Sequence, residues 1–172
     1  MALFSETIRD LKALYIHQLR LMLSSERHLM EALPEMEQAA ADPELSSAPH
    51  FHQGQTQLHA FHLEQILREL AGDDVDKRCA VTTGLISAAR DIIKNTGEGP
   101  VRDAGIIASA QCVEHYEIGF YGTLRNWARM LGFTSHAVIF DTTLQEERQS
   151  DLLLTTISER LNSLASSASI AA

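Results

Sequence analysis

Three glutamates of this chain lie at the centre of apolar stripes that have the spacing of α-helices. Each helical residue turns about 100° around the helix axis, and on that projection Glu26, Glu114 and Glu147 are surrounded by aliphatic and aromatic positions. An ionised carboxylate is too costly to bury without a partner. Helices that turn these faces toward one core would bring the carboxylates together, and a bound metal ion is the usual reason that a protein tolerates such a group.

The stripes differ in which residues accompany the glutamates. Glu117 follows Glu114 about 60° to the side, and Asp151 follows Glu147 by one turn, so both are further candidate ligands. The apolar members are Tyr15, Leu19, Met22, Leu23, Leu29, Met30 and Leu33 around Glu26, Ile107, Ala110, Ile118 and Tyr121 around Glu114, and Phe140, Leu144, Leu154 and Leu161 around Glu147.

A fourth stripe carries histidines. His52, Thr56 and His59 share one face with apolar residues as far as Leu70, and Gln55 and His62 flank it. For His52 and His62 the simpler interpretation is structural, because buried histidines commonly satisfy neighbouring polar groups. For His59 a ligand role stays equally open. It lies one turn after Gln55, the same spacing that separates Glu147 from Asp151.

Composition narrows the class of protein. A chain of 172 residues with 45% hydrophobic content can form one well-buried domain. The net charge of −9 argues against binding nucleic acid or anionic membranes through bulk electrostatics. Cys79 and Cys112 are too few for a disulfide framework, and we expect both to be reduced, with Cys112 buried. No apolar run approaches a membrane span and the start does not read as a secretory signal, so we expect a cytoplasmic protein.

Helix start and stop signals divide the chain into helices, and strand signals are nearly absent. We expect a first helix from a cap at Ser5 to about Ala41, with a kink near Met30 caused by Pro34. A second helix is expected from Asp42 and Pro43 to Gly72, and a short helix over Thr83 to Asn95. A third long helix should run from Pro100 to Gly132, and a fourth should be capped by Thr134 or Ser135.

The lengths of the links predict how these helices pack. A short link joins the first and second long helices into an antiparallel hairpin, and another short link does the same for the third and fourth. The long middle connection lets one hairpin cross over to the other. This pattern predicts an all-α, ferritin-like four-helix bundle whose crossover contains a short extra helix. We expect residues 1–165 to form a single domain and residues 166–172 to be a frayed tail.

Several segments resemble one family. The stretch VRDAGIIASAQCVEHYEIGFYGTL, from Val101 to Leu124, is similar to the signature of the YciE/YciF group of bacterial ferritin-like stress proteins, and LPEMEQAAADPEL and TLQEERQSDLLL extend the resemblance over nearly the whole chain. The resemblance implies a four-helix ferritin-like fold with a short extra helix, a homodimer and a dinuclear metal centre. By position it implies Glu26, Glu114 with Glu117, and Glu147 with Asp151 as ligands.

The second helix departs from the family pattern. Where the family reads like HLEET followed by a glutamine three residues on, this chain has HQGQT, so that Gln55 replaces the bridging glutamate and His59 takes the glutamine position. A neutral amide bridges two cations less well than a carboxylate. An imidazole compensates in part, because it is a good ligand for iron, zinc or manganese. We therefore expect the second metal position to be weakened.

These observations predict a cytoplasmic, stress-associated ferritin-like protein that holds one or two metal ions. Carboxylate ligands favour iron or manganese, and the histidine admits zinc. Oxidation of Fe(II) by dioxygen or peroxide is the redox chemistry that such a site would support. The alternative is a non-enzymatic structural or interaction protein whose metal site has degenerated at Gln55.

Overall fold

The computed structural model describes residues 8–72 and 77–168, and within them all regular structure is helical. The elements are α1 (Leu11–Ala39), α2 (Pro43–Ala71), α3 (Ala80–Asn95), α4 (Pro100–Met130) and α5 (Thr134–Ala168). The described residues contain no strand, so the prediction of an all-α protein is confirmed. No helix in these ranges is long and apolar enough to cross a membrane.

The helix ends follow the expected chemistry, with one difference at the start. The carboxylate of Asp42 accepts hydrogen bonds from the backbone N–H groups of Glu44 and Leu45, and Pro43 is the first helical residue of α2. For α1 the cap is Asp10, which accepts from the N–H of Ala13 at 2.8 Å. The predicted cap, Ser5, lies outside the described residues. After α4, Gly132 adopts a φ of +80°, a left-handed conformation that favours glycine.

The four long helices enclose two apolar clusters with a polar layer between them. Each long helix supplies apolar residues to both clusters. The glutamates or histidines that it supplies to the polar layer lie between these two sets of apolar residues along the sequence. The first cluster is formed by Tyr15, Leu19, Met22, Leu23, Ala60, Leu63, Ile66, Leu67, Tyr121, Leu124, Ala128, Ala137, Phe140 and Leu144, and the second includes Met36, Leu45, Ile106, Ile107, Leu154, Ile157 and Leu161.

The short helix α3 packs across α1 and α4 and widens their buried faces. Ile86 of α3 joins Leu29, Ala32 and Val113 in a third apolar cluster. The approach to α4 is close, since a Cβ placed on Gly105 would lie 2.4 Å from Cγ2 of Ile92. These contacts explain why Ala32 of α1 and Val113 of α4 are buried although neither belongs to the apolar stripe of its own helix.

The environment of the cysteines corrects one expectation. Cys112 is exposed, and Cys79 is the buried cysteine. Cys79 lies where the chain enters α3, with its sulfur 3.1 Å from the hydroxyl of Tyr116. Cys112 lies on the exposed side of α4. The prediction of a buried Cys112 was wrong because it did not include how the other helices surround α4. Both cysteines are free, as expected.

A buried carboxylate connects the link between α1 and α2 to α4. Asp103 is only 2% exposed, and its two oxygens accept hydrogen bonds from the backbone N–H groups of Ala41, at 2.8 Å, and Asp42, at 3.0 Å. These amides lie between two helices and have no helical partner of their own. Asp103 therefore fixes where α2 begins relative to α4.

Candidate metal centre

The polar layer contains two overlapping groups of potential metal ligands. In each group the candidate ligand atoms lie within 4.8 Å of one another, and every residue is buried. Glu147 belongs to both groups. The first consists of His52, Glu114, Glu117 and Glu147, and the second of Glu26, His59 and Glu147.

His52 faces two carboxylates in the first group. Its Nε2 lies 3.7 Å from Oε1 of Glu114 and 3.8 Å from Oε2 of Glu147. These distances are too long for hydrogen bonds. Ser150, one turn after Glu147 on α5, donates a hydrogen bond to Oε1 of Glu114 at 2.7 Å. This bond orients the Glu114 carboxylate and leaves its other oxygen without a partner.

In the second group His59 lies between acidic residues. Its Nδ1 is 3.0 Å from Oε1 of Glu147 and 3.8 Å from Oε1 of Glu26. Its Nε2 is 2.7 Å from Oε2 of Glu146. Tyr121 donates a hydrogen bond to Oε1 of Glu26, and its ring packs edge-on against the imidazole, with the ring centroids 5.9 Å apart.

Most of the polar atoms that face one another in this layer have no hydrogen-bond partner. They are Oε2 of Glu26, Oε2 of Glu114, both oxygens of Glu117 and of Glu147, and Nδ1 of His59. A single buried polar atom without a partner costs about 1 to 3 kcal/mol, and proteins seldom contain several together. A cation between these converging acceptor atoms would satisfy them.

Burial changes the protonation of these carboxyls. Loss of solvent raises the pKa of Glu26 to about 8; His59 and the Tyr121 hydrogen bond act in the opposite direction, and Glu147 adds to the increase. Burial likewise raises the pKa of Glu117 well above its usual range, and Glu26, Glu147 and Glu114 add to this effect, while the Ser25 hydroxyl opposes it. Burial also raises the pKa of Glu147.

The donor atoms fit a first-row transition metal. The groups supply imidazole nitrogens and carboxylate oxygens and no thiolate, a set that suits iron, manganese or zinc. Two ligand atoms bonded to one ion at about 2.1 Å are separated by roughly 3.0 to 3.8 Å for bond angles between about 90° and 130°. The distances from Nδ1 of His59 to Glu147 and Glu26, 3.0 and 3.8 Å, lie in this range.

The structure brings together five of the seven predicted ligands and places Asp151 outside both groups. Glu26, His59, Glu114, Glu117 and Glu147 are in the layer. Asp151 belongs to neither group, since its Oδ1 lies 3.2 Å from Nε2 of Gln111 and 3.2 Å from Nε2 of His115. Gln55 is half-buried.

The carboxylate of Asp151 turns aside because its side chain is one methylene shorter than that of a glutamate and Gln111 and His115 of α4 lie within its reach. It therefore reaches the flank of α4. On α2, His52, one turn before Gln55, supplies the ligand atom.

Three residues of the site were missed or undervalued in the sequence. His52 lies two helical turns before His59 on the same stripe, and that spacing was the available signal. Ser150 lies one turn after Glu147, where its hydroxyl reaches Glu114. For Glu146 no signal existed, because it lies about 100° around the helix from Glu147 and only the packing of α2 against α5 brings it to His59.

Comparisons with known proteins agree on one family. A family described as a domain of unknown function, DUF892, matches residues 10–166. Protein YciF of Escherichia coli strain K12 is 36% identical over 151 residues, which are 87% of this chain and 89% of that protein.

Two solved structures have the same chain fold. The crystal structure of the E. coli stress protein YciF matches with a TM-score of 0.85 at 33% identity, over 91% of this chain and 99% of that one. YcfI of Rhodopseudomonas palustris, described as a candidate structural protein, matches with a TM-score of 0.84 at 35% identity, over 89% and 98% of the two chains.

Proposed function

Since the chain belongs to the DUF892 family of YciF-like proteins, we propose that it is a metal-binding protein that holds one or two transition-metal ions in its buried polar layer. Iron or manganese is favoured by the carboxylates, and the histidines admit zinc. The E. coli relative is described as a stress protein. We extend an association with stress, and a place in the bacterial cytoplasm, to this chain as parts of the proposal.

The observation that carries the proposal is the sharing of Glu147 between two groups of buried ligand atoms. A carboxylate has two oxygens and can contact two cations at once. In this chain Oε1 of Glu147 lies near His59 and Oε2 lies near His52. Each position thus has one imidazole and at least one further carboxylate, which gives the site an approximate symmetry around Glu147.

Side chains of the polar layer would bind the ions, neighbouring side chains would orient these ligands, and the apolar clusters would exclude water. Glu26 and His59 would hold one ion, and His52, Glu114 and Glu117 the other. Ser150 orients Glu114 and Tyr121 orients Glu26 through their hydrogen bonds. An iron or manganese ion bound there would supply one-electron chemistry toward dioxygen or peroxide. Oxidation of Fe(II) as substrate is therefore the activity to test.

We propose a ferritin-like four-helix bundle for the long helices, with α3 as the additional short helix. The two hairpins, α1 with α2 and α4 with α5, and the long connection between α2 and α4 support this arrangement. The weaker second position expected from Gln55 is part of the same proposal. Gln55→Glu would place an anion beside the layer, and we expect it to raise the number of bound ions per chain.

We also propose a homodimer. Phe51, Leu58 and Phe61 are 70%, 48% and 52% exposed and lie on one face of α2, within about 80° on a helical projection. A second copy of the chain would cover this apolar face. Sedimentation of Phe51→Asp with Phe61→Asp should show a monomer where the unmodified protein sediments as a dimer.

The central experiment compares metal binding by the unmodified protein and by Glu147→Gln. Elemental analysis of protein purified without added metal, and calorimetric titration with Fe(II) under anaerobic conditions, Mn(II) and Zn(II), measure content and affinity. We expect binding by the unmodified protein, a large loss in Glu147→Gln, and no change in the control Glu159→Gln, an exposed position on the same helix. Equal binding by all three proteins, or no binding by any, would contradict the proposal.

The second candidate function is that of a structural or interaction protein. It is favoured by the neutral amide of Gln55 at the position where the resemblance implies a bridging glutamate, and by the description of the R. palustris relative as a candidate structural protein. A protein of this kind folds and dimerises without metal. Its melting temperature would then be the same with and without Fe(II), Mn(II) and Zn(II), whereas a ligand that binds only the folded state raises it.

A further inference from the structure

The imidazole of His59 is held between two consecutive carboxylates of α5. Its Nε2 lies 2.7 Å from Oε2 of Glu146, and its Nδ1 lies 3.0 Å from Oε1 of Glu147. The side chain of His59 is 1% exposed, and that of Glu146 is 27% exposed. Glu146 therefore approaches the ring from the solvent side, and Glu147 approaches it from the polar layer.

We propose that Glu146 is a positioning residue that fixes His59 to bind metal through Nδ1. This inference rests on the proposed metal-binding function. A neutral imidazole has one N–H and one lone pair. An acceptor at Nε2 keeps the proton on that nitrogen, so the lone pair is on Nδ1 and faces Glu26 and Glu147. A partner of this kind on the outer nitrogen selects the tautomer and orients the ring of a metal-binding histidine.

The inner nitrogen has the geometry of a ligand and lacks that of a hydrogen-bonding group. Although Nδ1 of His59 is 3.0 Å from Oε1 of Glu147, neither atom has a hydrogen-bond partner. Two ligand atoms directed at a common ion would have this relationship. The edge of the Tyr121 ring fixes the plane of the imidazole from a second direction.

His52 provides an internal comparison. It turns Nε2 toward Glu114 and Glu147, and its outer nitrogen, Nδ1, has no partner. The two histidines thus present different nitrogens to the layer, and only the ring of His59 is held from outside by a carboxylate. Removing Glu146 should therefore weaken the position that contains Glu26 and His59 and leave the position that contains His52 largely intact.

The test compares Glu146→Leu, Glu146→Gln and Glu159→Leu with the unmodified protein. Glu146→Leu removes the acceptor, Glu146→Gln keeps an amide oxygen that can still accept from Nε2–H, and Glu159→Leu makes the same charge change at an exposed position of α5. Calorimetric titration with Zn(II) should show a 10- to 100-fold weaker affinity at one position in Glu146→Leu. Glu146→Gln should recover most of the loss, and Glu159→Leu should bind normally. Equal affinity in Glu146→Leu and Glu159→Leu would overturn the inference.

A second measurement needs no metal. Nitrogen-15 NMR of the histidine rings in metal-free protein reports which nitrogen of His59 holds the proton. We expect the proton on Nε2 in the unmodified protein and a mixture of tautomers in Glu146→Leu. A proton on Nδ1 in the unmodified protein would overturn the inference. If the unmodified protein binds no metal, the proposed function fails, and the NMR result still decides how Glu146 orients the ring.

Discussion

Tyr121 donates a hydrogen bond to Oε1 of Glu26, while Oε2 of the same carboxyl has no partner. Glu26 is fully buried, so the single hydrogen bond compensates only part of the loss of solvent. A half-satisfied carboxyl of this kind is stable in its protonated form without metal and in its ionised form beside a cation. The stability of the protein should therefore depend on pH and on metal in a linked way.

Metal-free protein should lose stability as pH rises from about 4.5 through about 8. The pKa of Glu26 is raised from 4.5 to about 8 in the folded protein, so between these values the folded state binds a proton that the unfolded state releases. Stability then falls with pH, by at most about 1.4 kcal/mol per pH unit for one such group. Urea denaturation at a series of pH values, with a chelator present, measures the slope.

Glu26→Gln is the control for this pH dependence. The amide cannot ionise, so the variant should have a shallower slope over the same interval. Glu117 and Glu147 also have raised pKa values, and the remaining slope belongs to them. Stability that rises with pH in the unmodified, metal-free protein would contradict the protonated state that we assign to the layer.

Glu117→Leu should make the metal-free protein more stable and weaken metal binding. Neither oxygen of Glu117 has a hydrogen-bond partner, and the nearby hydroxyl of Ser25 keeps its hydrogen bond with Thr82. Removal of the carboxylate therefore leaves no donor unsatisfied, and burial of a leucine contributes about 1.5 to 3 kcal/mol. Chemical denaturation with and without Mn(II) measures both effects. In Glu114→Leu the gain should be smaller, because the hydroxyl of Ser150 loses its acceptor. A destabilised metal-free Glu117→Leu protein would show that this carboxyl has a structural role.

Asp103→Ala should destabilise the protein independently of metal. The substitution removes the acceptor of the N–H groups of Ala41 and Asp42, and we expect a cost of about 1 to 3 kcal/mol. The measurement is the free energy of unfolding in the presence of a chelator and in the presence of Zn(II). Asp141→Ala, which removes ion pairs with Arg125 and Arg129 at the surface, is the control and should change stability little. Similar results for both variants would count against the role of Asp103 in joining α4 to the α1–α2 link.

Gly105→Ala should destabilise the contact between α3 and α4. The added Cβ would lie 2.4 Å from Cγ2 of Ile92, and a β-branched side chain has few ways to move aside, so a cost of about 1 to 3 kcal/mol is expected. Gly119→Ala is the matched control on the same helix, since nothing lies within 4 Å of its added Cβ. That variant should gain about 0.5 to 1 kcal/mol from helix propensity. Hydrogen exchange of α3 amides would show whether the loss is local to α3.

The periodicity of apolar residues and the residues at helix ends were sufficient to predict much of the fold. Asp42 with Pro43 gave the start of α2, and the glycine after α4 gave its end. The resemblance to the YciE/YciF group is also confirmed. The short helix was expected at Thr83 and begins at Ala80. Its position over α1 and α4 could not be predicted, because it depends on contacts between residues distant in the chain.

Site residues could be predicted where a single helix determines the direction of the side chain, and could not be predicted where contacts between helices determine it. Glu26, Glu114 and Glu147 lie at the centres of their stripes, so the direction of each side chain was set by its own helix. Asp151 also lies on its stripe, but contacts with Gln111 and His115 of α4 decide the direction of its carboxylate. The contact of Glu146 with His59 joins two helices. No pattern within either helix indicates it.

The sharing of Glu147 has a consequence for how any two ions would bind. An ion at one position would hold this carboxylate in one rotamer, with its other oxygen already placed to bind the second ion. Repulsion between the two cations would oppose binding of the second ion. Occupancy of either position thus changes the affinity of the other, and by thermodynamic linkage the change is reciprocal. Binding of two ions to this protein would be described by a coupling free energy together with two affinities, and the sign of that coupling would show whether preorganisation of Glu147 or repulsion is larger.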